Sequence, residues 1–94
     1  MDATTARVIA RERKIKIIVK ASRMLIKRLK REIERASKLG KTEIKLSLRL
    51  FYMSEGNFCD EILNVIERYF SDYGYKVYVG SSYIIFDWND QNNT

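Results

Sequence analysis

Histidine and proline are absent from this chain of 94 residues, and cysteine and tryptophan occur once each. Without histidine, and with Cys59 as the sole thiol, no zinc site of the usual nitrogen and sulfur type can be assembled. The commonest base for nucleophilic catalysis is missing too. No catalytic residue, metal ligand or cofactor site stands out, and a non-enzymatic protein is expected. One cysteine cannot close an internal disulfide, which fits a reducing compartment. The opening stretch MDATTARVIARERK has no apolar h-region, so no secretory signal is expected. The longest apolar runs, of three or four residues, fall far short of the roughly 20 that span a membrane. These absences lead us to expect a cytoplasmic domain with no membrane role.

What the chain has in excess is positive charge at one end. Residues 1–41 carry fourteen Lys and Arg against four Asp and Glu, whereas residues 42–94 carry four against eight. The overall +6 therefore conceals a dipolar molecule, +10 in its first part and −4 in its second. An apolar content of 46% is enough for one packed core, and single cores usually hold about 100 to 150 residues.

Taken in order, the chain predicts a long helix over 4–39. Thr4 or Thr5 offers an N-cap hydroxyl, and Gly40 stands where a left-handed C-cap residue belongs. Val8, Ile15, Ile18, Val19, Ser22, Leu25, Ile26, Leu29, Ile33 and Ala36 recur at helical spacing on one stripe. Ile15, Ile17 and Val19 also alternate like a short strand over 14–20, but the stripe runs through them unbroken and favours helix. The C-terminal half of this helix is expected to pack on a sheet while its N-terminal half projects.

The segment 42–53 then alternates as a half-buried strand, with Ile44, Leu46, Leu48, Leu50 and Tyr52 inward and Lys45, Ser47, Arg49 and Phe51 outward. Ser54 to Asn57 is turn chemistry, with Asn57 and Asp60 resembling a helix N-terminus. Phe58, Ile62, Val65, Ile66, Tyr69 and Tyr73 repeat helically up to Gly74. Residues 75–79 and 83–88 read as two strands of a hairpin joined through Gly80, Ser81 and Ser82, and 89–94 as a polar tail. The fold class is thus α+β, a single domain: a long basic N-terminal helix, then β-α-β-β across 42–88. The last strand is the most apolar, so a three-stranded sheet of order 1-3-2 is expected, with both helices on one face.

This succession resembles a pattern among small phage-encoded accessory and host-takeover proteins. The resembling pieces are Ala36-Ser37-Lys38-Leu39-Gly40-Lys41-Thr42, Gly74-Tyr75-Lys76-Val77 and the closing strand from Ile84 to Trp88. The resemblance implies a phage protein that grips a host macromolecule, and it carries no site residues. Gly40-Lys41-Thr42 is not a P-loop, because it ends a helix instead of joining a strand to one.

The candidate site lies on the long helix. At 100° per residue, Lys16, Lys20, Arg23, Lys27, Lys30, Arg31 and Lys38 share a face opposite the apolar stripe, with Arg7, Arg11, Arg13 and Lys14 at the free end. Only Glu12, Glu32 and Glu34 are placed to neutralise them. Ala10, Ile17 and Met24 lie a heptad apart on a separate line, which suits a helix-to-helix contact. Arg13, Lys16, Ile17, Lys20, Arg23, Met24, Lys27 and Arg31 are therefore the expected partner-binding residues. A host protein with an acidic surface is the preferred partner.

Nucleic acid is the alternative, bound through phosphates with little base preference, since residues 1–41 hold no Asn or Gln. Self-association through the heptad line is the third. Tyr75, Tyr83 and Trp88 are expected to pack in the core or on the sheet before they would stack on bases. Asp60, Glu61 and Glu67 read as cap, dipole complement and solvated face, and Cys59 as an inert thiol.

Overall fold

A computed structural model describes residues 1–49 and 58–90. Its elements are α1 (Ala3–Lys38), β1 (Glu43–Ser47), α2 (Cys59–Asp72), β2 (Lys76–Val79) and β3 (Tyr83–Asp87). The sheet has order β1-β3-β2, antiparallel throughout, with Ile44 opposite Phe86 and Phe86 opposite Val77. Both expectations, the α+β class and a central final strand, hold. Residues 14–20 are helical, which settles the strand alternative for that stretch.

α1 begins earlier than its threonines suggest. Asp2 is the N-cap, its carboxylate accepting the Thr5 backbone N–H at 2.8 Å. A carboxylate there also meets the positive end of the helix dipole, an advantage that a Thr4 or Thr5 hydroxyl lacks. Both helices end the same way. Gly40 and Gly74 take φ of 80° and 92°, which any side chain would strain. In each case the next N–H reaches back five residues, Lys41 to Ala36 and Tyr75 to Phe70, both at 3.0 Å.

The core lies between the helices and one face of the sheet. Leu25, Leu29 and Ile33 of α1 meet Ile62, Leu63, Ile66 and Phe70 of α2 over Ile84 and Phe86 of β3, with Leu48 just past β1. Phe70 and Phe86 meet edge-to-face at 4.9 Å, and the ring contacts continue from Phe70 to Tyr75 and Trp88. Tyr75 and Trp88 thus pack against the core, while Tyr83 lies under the Lys45 ammonium, 4.4 Å from the ring centre.

Two sequence expectations need correction. The buried face of α2 consists of Cys59, Ile62, Leu63, Ile66 and Phe70, so it is rotated roughly 60° from the expected line. Val65 and Tyr73 on that line are exposed. Tyrosine keeps its hydroxyl wet, while Phe70 has no polar group to hydrate and takes the interior place. β1 also stops at Ser47, after which Leu48 donates its N–H to the Ser82 carbonyl and Arg49 donates to Ser47 Oγ. The expected continuation through Leu50, Phe51, Tyr52 and Met53, and the turn from Ser54 to Asn57, lie outside the described residues.

α1 and α2 run in the same direction. Lys14 approaches Glu61 and Phe58 at the start of α2, and Lys30 lies over Tyr69 near its end. No residue of α1 before Ala21 is buried. At 1.5 Å per residue the 36 residues of α1 extend about 54 Å, and the molecule measures 60 × 25 × 23 Å. A radius of gyration of 16.1 Å exceeds the roughly 12 Å of a compact chain this size. The N-terminal half of α1 accounts for the difference.

Candidate protein-binding face

The projecting half of α1 leaves its apolar stripe uncovered. Val8, Ile15 and Val19, on the stripe but in the half expected to project, are 49%, 55% and 41% exposed. Helical periodicity reports that a stripe exists and says nothing of what covers it; the sheet reaches only the stripe's C-terminal half. Ile18 and Ile26 are half-buried against the core, and burial becomes complete at Ala21, Ser22 and Leu25.

On the opposite side the eight expected binding residues form one connected surface. Arg13, Lys16, Ile17, Lys20 and Met24 line one shallow groove. Lys27 and Arg31 continue it on the far side of Met24, joined by Arg28, Glu32 and Arg35. Arg23 borders a third depression with Ile15, Lys16, Val19, Lys20 and Met24. Met24, 64% exposed, belongs to all three and is the centre of the surface. On the heptad line, Ala10 is exposed and Ile17 half-buried.

Salt bridges sort the cations. Lys14 pairs with Glu61 at 3.5 Å, Arg35 with Glu32 at 3.5 Å, and Lys38 with Glu34 at 3.2 Å. Lys30 is held by Tyr69, whose hydrogen bond raises its pKa above the usual lysine value. Lys30 and Lys38, placed by sequence on the binding face, are thus engaged within the molecule. The Glu34–Lys38 spacing of i,i+4 already signalled one of these pairs. Arg13, Lys16, Lys20, Arg23, Lys27 and Arg31 make no ion pair among the described residues. These six cations and Arg28, none in an ion pair among the described residues, therefore surround one exposed methionine.

Sequence reasoning missed Arg28 and Arg35 at the groove margin, and did not place Ile15 and Val19 beside this surface, which they border. Asp60 and Glu61 stand in the first turn of α2, where a carboxylate complements the helix dipole, and Cys59 is buried. Among the described residues, no three His, Cys, Asp or Glu side chains converge on a common point, and no helix is long and apolar enough to cross a membrane. No family model matches the chain, and neither a curated protein nor a solved structure is significantly similar to it.

Proposed function

We propose that this chain is a non-enzymatic binding protein that docks the solvent-facing basic side of α1 on a partner protein with an acidic surface. The carrying observation is Met24, exposed at the meeting of three grooves and ringed by cations that make no ion pair among the described residues. Charge of one sign steers an acidic partner and fixes its register, while the apolar centre is desolvated on contact and slows dissociation. Val8, Ile15 and Val19 offer further apolar area on the same helix, which phosphate contact alone does not need. The resemblance to phage accessory proteins extends the proposal to a host protein complex in the host cytoplasm as target, its activity altered by the docked helix.

Sequence-tolerant nucleic-acid binding through the same cations is the second reading, favoured by the length of the exposed basic face. Titration of labelled random-sequence DNA and of host protein extract, each across a salt series, separates the two. An acidic protein partner predicts retention from nuclease-treated extract; binding to random DNA that collapses steeply with salt, with nothing retained after nuclease, supports the second reading.

A further inference from the structure

Among the described residues β1 is an edge strand, and its outer side is chemically self-complementary. Its ladder with β3 pairs residues summing to 130, from Glu43 with Asp87 to Ser47 with Tyr83. On that ladder Trp88 donates to the Thr42 carbonyl and Leu48 to the Ser82 carbonyl. Even-numbered residues therefore turn their backbone groups toward β3, and those of Glu43, Lys45 and Ser47 point outward from the sheet. Those outward groups take no backbone partner among the described residues. Beside them a groove between α1 and the strand is lined by Ala36, Leu39, Ile44 and Leu46 together with five charged side chains, and Leu39 is 71% exposed.

The charges along this edge select an occupant. Glu43 faces Asp87 across a non-hydrogen-bonded pair, where side chains stand closest and like charges destabilise. Lys76 lies on the far side of Asp87, so of the two carboxylates Asp87 has a cation as cross-strand neighbour and Glu43 has none among the described residues. Lys45 stands on the same open face, two residues along, over the Tyr83 ring.

We infer that β1 pairs antiparallel with β1 of a second copy across a two-fold axis at Ile44, joining two sheets into one of six strands. This register sets Glu43 opposite the second copy's Lys45, and Lys45 opposite its Glu43, with both residues' outward N–H and C=O groups forming the new hydrogen bonds. One row then reads Lys45, Glu43, Asp87, Lys76, with a cation at each end of the two carboxylates. Neighbouring registers fail on charge: centring on Glu43 opposes two carboxylates, and centring on Lys45 opposes two ammonium groups. Centring on Leu46 creates no charge pair within the strand. An exposed lysine usually protects an edge from pairing; here it rejects one register and stabilises another. The pairing uses β1 alone, although Glu32 and Arg35 at the margin of the proposed partner surface also line the groove beside it.

Sedimentation equilibrium on the full chain tests this. The wild type is expected at twice the 11.1 kDa of one chain at high concentration. Glu43→Lys and Lys45→Glu each place like charges across the axis and are expected to sediment as monomers, while the double exchange restores the dimer. Because both side chains are exposed, each variant should keep the wild-type far-UV spectrum. Ile44→Cys is expected to form a disulfide linking position 44 of two chains under mild oxidation. A wild type that stays monomeric, single variants that stay dimeric, a double exchange that stays monomeric, or no position-44 crosslink overturns the inference.

Discussion

Lys14 lies 3.5 Å from Glu61, and among the described residues no ion pair or ring contact ties α1 to the body anywhere N-terminal of it. The pair is the outermost tie of the helix to the body among the described residues, and it lies N-terminal of the first buried residue, Ala21. Both side chains are nearly half exposed, so the pair contributes little to global stability, within about 0 to 1 kcal/mol. Lys14→Ala should leave the melting temperature nearly unchanged while accelerating amide exchange over residues 5–17, whose helix then loses its last tether. Hydrogen exchange read residue by residue checks this; unchanged protection in that stretch would count against the tie.

Ser22 is 2% exposed, and its Oγ has no hydrogen-bond partner among the described residues. An unsatisfied buried hydroxyl costs about 1 to 3 kcal/mol, and alanine removes the cost while leaving space smaller than a methyl group. Ser22→Ala should raise stability by about 1 kcal/mol. Urea denaturation measures this directly, and a destabilised variant would show that the hydroxyl has a partner.

The rotated face of α2 separates two aromatic neighbours three residues apart. Phe70 is 1% exposed and Tyr73 is 69% exposed. Phe70→Ala should cost about 3 to 5 kcal/mol, the usual range for a buried phenylalanine. Tyr73→Ala should stay within about 0.5 kcal/mol. Denaturant midpoints for the two variants give the comparison, and similar losses would restore the face expected from the sequence.

Asp2 caps α1 with its carboxylate ionised, and the Thr5 backbone N–H, with the Thr5 hydroxyl second, holds its pKa below the usual aspartate value. A depressed folded-state pKa contributes stability that is present above the unfolded value and lost as pH falls through the folded one. The first turn of α1 should therefore fray on acidification below the ordinary aspartate range. In Asp2→Ala it should be frayed at every pH. Chemical shifts of residues 3–6 followed across pH report both, and a flat profile in the wild type would contradict the cap.

Much of the fold was legible because its signals are local. Alternation over Glu43–Ser47, the glycines at 40 and 74 and the apolar final strand each report their own neighbourhood. The errors arose where a residue's place depends on a remote one. Counting Tyr69 and Tyr73 as apolar turned the face of α2, because hydropathy ignores the hydroxyl. The uncovered stripe of Val8, Ile15 and Val19 was no such error: a helix of that length outruns a domain of this size, so projection of its first half was legible. At the site, the cations were legible as a cluster. Which of them are neutralised was less so, since Lys14 meets Glu61 across 47 positions of chain.

The central claim is that the face around Met24 holds an acidic protein partner. Its most direct measurement is capture from nuclease-treated host extract with wild type, Met24→Asp and a Lys20/Arg23/Lys27→Glu variant, followed by hydrogen exchange on the captured complex. We expect one partner retained by the wild type, with new protection over residues 13–31, and lost by both variants while their far-UV spectra stay unchanged. Equal capture by all three chains, capture that disappears with nuclease, or protection confined to residues outside 13–31 would contradict it.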